Sequence, residues 1–252
     1  MALLRIGAVP YLNARPLTDW LEGRPGLRIT RAAPARLWTG LGGRRLDWAL
    51  LPAFEAASHP GLFGAEGVAI GSDGPVRSVL LYCRRGQPER IRTLALDPAS
   101  RSSNALVRIL LAERYGARPR LAPAARADAV LAIGDRALKG LPGKWTRVLD
   151  LGLEWKRLSG LPFVFAFWAA RRRDPAGAAL LRSSARHGRS RLAQIARQEG
   201  PPLGIPAVLA RPYLRTAIRF GLGAREKDGL RAFLALCRSH RLLRNPREPE
   251  WI

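Results

Sequence analysis

The sequence places polar side chains that could hold a small anion directly after predicted strands. The first of them lie in the segment GAVPYLNARP, residues 7–16, which follows an apolar run. Asn13 offers two amide donors and one acceptor without a charge, which suits a hydroxyl or a carboxylate. Tyr11 offers a ring that can stack on a ligand or simply pack beside it. A local alternative for Asn13 is to cap its own turn.

A second group of polar residues lies where a strand leads into a helix. The segment is LDPASRSSNALVRILL, residues 96–111, and the amphipathic helix is predicted over 102–115. Ser102 or Ser103 is predicted as the N-cap, which leaves backbone N–H groups free at the helix start. Such helix starts bind carboxylates and phosphates, and Arg101 would add a charged donor. Plain N-capping is the structural alternative, and it is compatible with binding.

Two isolated residues are further candidates for contact with a ligand. Asp135 follows a predicted strand and begins a short predicted helix, where it either faces a ligand or only acts as an N-cap. Trp155 lies beside a probable helix in the segment of residues 149–168 and is a candidate wall of a pocket. A lone aromatic side chain of this kind is more often a core residue.

The motifs of several common enzyme classes are absent from the sequence. It contains no G-x-S-x-G, P-loop, H-E-x-x-H or Cys/His metal spacing, and its three histidines are isolated. Cys83 and Cys237 lie far apart and are predicted to be reduced core thiols. We therefore expect neither a metal nor a cofactor. From the residues alone, a binding protein and an enzyme remain equally open.

The elements that must position these residues alternate between strand and helix. Strands are predicted over 3–9, 27–32, 46–51, 78–82, 92–96, 129–133, 146–150 and 161–170. Helices are predicted over 34–41, 102–115, 134–140, 174–198, 206–220 and 225–243. Residues 54–64 are interpreted as a helical turn and a loop. This alternation is typical of α/β layers with largely parallel sheets.

A loop rich in glycine and a later apolar run together predict two lobes. The loop GSDGP, residues 71–75, begins a second unit, and the apolar run at 161–170 carries the chain back to the first. We therefore predict an α/β protein with a discontinuous first lobe (1–74 plus 169–252) and a second lobe (75–168). Ligand sites of open α/β sheets lie at the carboxyl ends of strands. The opening segment is thus expected at a cleft between the lobes.

Composition and charge restrict the partners of the protein. The chain has 252 residues and a formal net charge of +24, carried almost entirely by arginines spread along its whole length. This even spread does not indicate nucleic acid, but a positive field speeds the capture of a small anion. No apolar stretch approaches the roughly 18–20 residues of a membrane span, and no leader-like segment is present. We expect a cytoplasmic protein with a small anionic ligand, and the oligomeric state stays open.

A set of segments, in this order, resembles the chorismate dehydratases of the futalosine route to menaquinone. The segments are RIGAVPYLNARPL, LDWALLPAFE, GPVRSVLLYCR, LALDPASRSSNALVRILL, AVLAIGDRAL, DLGLEWKRLSGLPFVFAFW and YLRTAIRFGLGAREKDGLRAF. The likeness runs from about residue 5 to residue 236. It implies a two-lobed fold of the periplasmic-binding-protein type II kind. Where that family commonly reads Ser-Arg-Thr-Ser, this chain reads Ser-Arg-Ser-Ser at 100–103, which retains the hydroxyl.

The resemblance implies an activity and assigns roles. The activity is dehydration of chorismate to 3-[(1-carboxyvinyl)oxy]benzoate, assisted by the substrate's own enolpyruvyl carboxylate. Asn13 would orient the reacting groups or bond the leaving hydroxyl, while Ser78 and the helix start at 102–103 would bind carboxylates. One alternative is the dihydroxynaphthoate synthase of the same pathway, which is expected to carry a histidine in its opening segment; here the first histidine is His59. A second alternative is a small-anion solute-binding protein.

Overall fold

The computed structural model describes residues 3–252 and contains two β-sheets with helices packed against them. Met1 and Ala2, at the start of the predicted first lobe, lie outside the described residues. The first sheet has the order β11-β4-β10-β3-β1-β2 and the second the order β7-β6-β8-β5-β9. The strands of the first sheet are β1 (Leu4–Ala8), β2 (Leu27–Arg31), β3 (Trp48–Pro52), β4 (Phe63–Ser72), β10 (Phe163–Ala170) and β11 (Glu250–Trp251). The strands of the second are β5 (Val79–Cys83), β6 (Thr93–Ala95), β7 (Arg120–Leu121), β8 (Ala129–Ile133) and β9 (Arg147–Asp150).

The helices cover the outer faces of these sheets and connect their strands. They are α1 (Arg15–Thr18), α2 (Pro34–Gly42), α3 (Ala53–Ala57), α4 (Arg101–Tyr115), α5 (Gly134–Lys139), α6 (Leu151–Ser159), α7 (Pro175–Ser190), α8 (Leu192–Glu199), α9 (Ala207–Pro212) and α10 (Ala224–Ser239). The helix predicted over 174–198 is thus two helices, which meet at Arg191. The helix predicted over 206–220 ends early: Pro212 closes α9 and a π-helical turn follows over Tyr213–Ala217.

Both sheets are mixed, so the prediction of largely parallel sheets is wrong. In the first sheet β1 pairs in parallel with β2 and β3, but β10 runs antiparallel to both β3 and β4. In the second sheet β6 pairs in parallel with β7 and β8, and β5 runs antiparallel to β8 and β9. The antiparallel strands β5 and β10 are those by which the chain enters the second lobe and returns from it.

The sequence pattern does not predict β4, because glycines interrupt its apolar alternation. A Cβ atom at Gly64 would lie 2.5 Å from the Trp251 ring, and one at Gly71 would lie 2.7 Å from the Phe163 carbonyl oxygen. Gly67 has a φ of +80°, which favours glycine over residues with a side chain. The glycines that weaken the strand signal are therefore the residues that let β10 and β11 approach β4 closely.

The chain passes between the sheets twice, at residues 73–78 and 160–162. β10 lies in the first sheet over its whole length, so the lobe boundary predicted between 168 and 169 falls inside this strand. The side chains of β3 and β8 are entirely buried and form the centre of each sheet.

Both cysteines are buried and unpaired, as predicted. Burial raises the pKa of the Cys83 thiol to about 11 and that of the Cys237 thiol to about 12. Within residues 3–252, no helix is both long and apolar enough to span a bilayer.

Candidate functional site

A cleft between the two sheets collects residues from both lobes and is partly open to solvent. Its polar lining comes from the loop after β1, the segment before β5 and the start of α4. The remaining lining is mostly apolar. The lining residues are Val9, Tyr11, Asn13, Pro34, Pro52, Ile70, Val76, Ser78, Val79, Ala99, Ser100, Ser103, Ile133, Gly134, Phe165 and Ala166. The structure thus places the opening segment at the cleft, as predicted.

Tyr11 and Asn13 follow β1 in a short 3₁₀ turn over Leu12–Ala14. Asn13 does not cap this turn, because its amide oxygen is buried and has no hydrogen-bond partner among the described residues. Buried polar atoms in folded proteins are nearly always paired, so an orphaned acceptor that faces a cleft is a candidate for contact with a ligand. The local alternative for Asn13 is therefore not what the structure shows.

The Tyr11 ring reaches across the cleft to the second lobe. A Cβ atom at Gly134 would lie 3.1 Å from this ring, so the glycine permits the close approach of the two lobes. Gly134 also has a φ of +61°, which a residue with a side chain rarely adopts. Burial is the main cause that raises the pKa of Tyr11, and the charges of Asp97 and Asp135 add to it.

Ser78 lies just before β5 and is buried at the base of the cleft. Its hydroxyl oxygen accepts a hydrogen bond of 2.9 Å from the hydroxyl of Tyr213, at the start of the π-helical turn. Burial strongly raises the pKa of Tyr213, which therefore stays a neutral phenol. Tyr213 was not among the predicted site residues. The preceding Pro212 was the one sequence signal for this position, because a proline inside a predicted helix indicates that the helix ends there.

The start of α4 faces the cleft through Ser100 and Ser103. The N-cap is Ser100, whose hydroxyl oxygen accepts from the Ser103 N–H at 3.2 Å; the prediction of Ser102 or Ser103 as the N-cap is wrong. The hydroxyl of Ser100 also donates to that of Ser103 at 3.0 Å. Ser103 therefore presents a hydroxyl to the cleft from the positive end of a 15-residue helix.

Two predicted contacts in the same segment point elsewhere. The hydroxyl oxygen of Ser102 accepts a 2.9 Å hydrogen bond from the backbone N–H of Phe54, so it joins the lobes outside the cleft. Successive helical residues lie about 100° apart around the axis, which is why Ser102 and Ser103 face different neighbours. Arg101 is exposed and pairs with Glu55 at 2.8 Å, again away from the cleft.

Asp135 lies behind the cleft wall rather than in it. Its carboxylate accepts a 3.1 Å hydrogen bond from the backbone N–H of Leu12, across the two lobes. Burial raises the pKa of Asp135, although the hydrogen bond from Leu12 opposes this shift. Asp135 thus fixes the loop that carries Asn13, and it does not line the cleft.

Trp155 is a core residue and does not wall the cleft. Its ring is fully buried, and it donates a 3.1 Å hydrogen bond from Nε1 to the Pro162 carbonyl. It also packs edge-on against Phe163 and Phe233. The expectation that it contacts a ligand is therefore not met.

The chemistry that this lining supports is hydrogen bonding to a small polar molecule. The cleft offers one amide, three serine hydroxyls and a helix start, whereas no carboxylate, imidazole or amine occurs among its described lining residues. No group of three or more potential metal-ligating side chains is found within residues 3–252.

The architecture defines the class of protein first. Two mixed α/β lobes around a cleft, joined by two crossings, form the periplasmic-binding-protein fold. The periplasmic aliphatic sulphonate binding protein SsuA from Escherichia coli has this architecture, with a TM-score of 0.66 and 18% sequence identity over 100% of this chain and 94% of that one. At this identity the likeness shows the fold alone.

Sequence comparison then identifies the family. A family model described as menaquinone biosynthesis matches residues 4–239, and the chain belongs to this family. A chorismate dehydratase of Thermus thermophilus is 33% identical over 255 aligned residues, which cover 90% of this chain and 93% of that protein. A chorismate dehydratase of Campylobacter jejuni is 25% identical and covers 92% and 97%, respectively. The resemblance of the quoted segments is thereby confirmed.

Proposed function

We propose that this protein is a chorismate dehydratase whose active site is the cleft between the lobes. The family and the two relatives that bear this name support the activity. The observation that carries the assignment of the site is the buried, unpartnered amide oxygen of Asn13. It faces a cleft that also holds serine hydroxyls and the start of a 15-residue helix. A cytoplasmic location stays a prediction.

The reaction needs positioning more than it needs strong protein acids and bases. Chorismate loses a proton from the ring carbon that bears the enolpyruvyl ether and hydroxide from the neighbouring ring carbon. A carbon–carbon double bond forms between the two, the ring becomes aromatic, and the proton and hydroxide leave as water. No electron is gained or lost overall. Holding the dianion so that both bonds are aligned is therefore the enzyme's main contribution.

The lining residues fit these tasks. The Asn13 oxygen accepts from the substrate hydroxyl and holds the carbon–oxygen bond in the orientation for cleavage. Ser103 and the first N–H groups of α4 bind one carboxylate, at a helix end that favours negative charge. The hydroxyl of Ser78 donates to a second oxygen of the substrate.

The proton goes to the substrate's own enolpyruvyl carboxylate. The described lining offers no carboxylate or imidazole that could accept it. Asp135 lies nearby, but its carboxylate is occupied by the N–H of Leu12. A proton acceptor within the substrate is consistent with this lining.

The structure also bears on the alternative enzyme of the pathway. The opening segment carries Asn13 where a catalytic histidine is expected in the dihydroxynaphthoate synthase. His59 does not replace it, because it stacks on Trp38 with ring centroids 3.5 Å apart and lies outside the cleft. These observations favour the dehydratase.

The test is the incubation of purified protein with chorismate in the presence of EDTA. We expect the ultraviolet spectrum of chorismate to be replaced by that of an aromatic enolpyruvyl ether, with a product one water lighter by mass spectrometry. An unchanged spectrum at high enzyme concentration contradicts the proposal. Bound but unconverted chorismate would instead indicate a solute-binding protein.

A variant tests the assignment of Asn13. We expect Asn13→Ala to lower kcat about 10²-fold, because a positioned polar group is lost from the site. The matched control is Asn104→Ala: Asn104 bonds the backbone of Asp97 through both amide atoms and lies outside the cleft. The control is expected to lose stability and keep its kcat. Near-normal turnover in Asn13→Ala would exclude a catalytic role for this residue.

A further inference from the structure

Tyr213 lies beneath the base of the cleft, where its hydroxyl bonds Ser78, a polar residue of the site. Its side chain is 1% exposed, and it begins the π-helical turn that follows Pro212. Such turns are uncommon and occur frequently at functional sites. Burying a phenol costs free energy unless its hydroxyl is bonded, so its partners show what the position requires.

The Tyr213 hydroxyl bonds one of the two residues assigned to the substrate and lies near the other. Its hydroxyl donates to the Ser78 hydroxyl oxygen at 2.9 Å. The Asn13 side chain lies near the same hydroxyl and opposes the rise in the pKa of Tyr213. Ser78 precedes the first strand of the second sheet, whereas Asn13 and Tyr213 belong to the first lobe. The Tyr213 hydroxyl therefore links the lobes at the base of the cleft.

The direction of these hydrogen bonds fixes which atoms remain for a ligand. The hydroxyl of a phenol has a single hydrogen, and the Tyr213 hydroxyl donates it to the Ser78 oxygen. The Ser78 hydrogen must then point elsewhere, and no acceptor for it is found among residues 3–252. The Asn13 amide oxygen is buried and has no hydrogen-bond partner among residues 3–252. One donor and one acceptor thus remain for the cleft.

We propose that Tyr213 is a positioning residue that sets the Ser78 hydroxyl as a donor toward the substrate, beside the unpaired amide oxygen of Asn13. This inference rests on the proposed function, because it assigns the two groups to chorismate. Tyr213 itself touches no substrate. If the Ser78 hydroxyl or the Asn13 amide turned, a different atom would face the reacting bonds of the substrate. Misplacing a group in this way lowers the turnover rate strongly.

The test is a double-mutant cycle on chorismate turnover with Tyr213→Phe, Ser78→Ala and the double variant. We expect Tyr213→Phe to lower kcat/KM by about 10-fold or more, because the Ser78 hydroxyl that it orients is then free to turn. In the Ser78→Ala background, the further loss on Tyr213→Phe is expected to be much smaller, because part of its effect passes through Ser78. Losses that simply multiply would overturn the inference.

The matched control is Tyr82→Phe, another buried tyrosine, whose hydroxyl donates to the Ala137 carbonyl at 3.3 Å outside the cleft. Both variants are expected to lose some thermal stability, but only Tyr213→Phe is expected to lose kcat/KM. Equal kinetic behaviour of the two variants would show that Tyr213 is merely structural.

The failure of the proposed function is distinguishable from the failure of this inference. If the wild-type protein does not convert chorismate, the proposed function is wrong. The double-mutant cycle on Tyr213 and Ser78 is then measured on the free energy of unfolding instead of on turnover. Absence of coupling between Tyr213 and Ser78 in that measurement overturns the network. If the wild type is active and Tyr213→Phe keeps full activity, the inference alone is wrong.

Discussion

Adjacent serines at the start of α4 are expected to give opposite results when each is replaced by alanine. Ser102 and Ser103 are nearly equally buried, and each substitution removes one oxygen atom. Ser102 accepts from the Phe54 N–H at 2.9 Å, whereas Ser103 presents its hydroxyl to the cleft. The pair therefore separates a role in holding the lobes together from a role in binding substrate.

The magnitudes follow from what each hydroxyl does. Ser102→Ala leaves the buried Phe54 N–H without an acceptor, at a cost of about 1–3 kcal/mol. For a chain of this size that lowers Tm by roughly 2–12 °C. If Ser103 bonds a substrate carboxylate, its loss removes about 1.5–3 kcal/mol. That corresponds to roughly 10- to 150-fold in kcat/KM.

The assays are thermal unfolding and chorismate turnover, measured on both variants and on the wild type. We expect Ser102→Ala to lower Tm and to keep kcat/KM, and Ser103→Ala to lower kcat/KM with a smaller change in Tm. The reasoning is refuted if Ser102→Ala loses as much kcat/KM as Ser103→Ala while its Tm is unchanged. That result would mean that Ser102 faces the substrate.

Two further substitutions test the corrected roles of Asp135 and Trp155. Burial raises the pKa of Asp135 above its ordinary value of 3.8, so the unfolded chain loses this proton first as the pH rises, and the ionised carboxylate costs stability at neutral pH. Asp135→Asn keeps an acceptor for the Leu12 N–H, so the free energy of unfolding of this variant at pH 7 is expected to equal or exceed that of the wild type. In urea titrations the difference between the two proteins is expected to shrink toward pH 3. A stability gain that grows toward pH 3 would contradict this. Trp155→Phe leaves the Pro162 carbonyl unpaired and a void in the core, and is expected to cost about 2–3 kcal/mol of stability with KM for chorismate unchanged. A raised KM in a fully stable variant would place Trp155 at the substrate after all.

The sequence was sufficient to locate the cleft because the signals there are local. An apolar run that stops at Pro10 predicts a strand with a loop at its carboxyl end, and Asn13 lies in that loop. The start of α4 was equally visible, but which serine caps it depends on side-chain geometry. Ser100 takes that role, and the rotation between neighbouring helical positions then sends Ser102 and Ser103 to different partners.

The features that were missed depend on contacts between distant parts of the chain. The interactions of Tyr213 with Ser78 and Asn13 span most of the sequence, and no local pattern marks a tyrosine as the base of a cleft. β4 was not predicted from the sequence because its glycines interrupt the apolar pattern. Gly64 and Gly71 are needed there to make room for Trp251 and Phe163 of the neighbouring strands. Trp155 was only a candidate wall of the pocket, because a lone aromatic beside a helix does not tell a core face from a cleft face in the sequence alone; in the structure it lies in the core.

The register between β4 and β10 has a consequence for how the second lobe is attached. Ser72 pairs directly with Phe163, and Gly71 with Val164, so the chain leaves and re-enters the first sheet at one point. The whole second lobe is therefore topologically the loop of a single β-hairpin. Replacing the second lobe with that of another protein at this junction would leave the first sheet continuous. Such a replacement is a route to changing substrate preference, because the second lobe supplies part of the cleft lining.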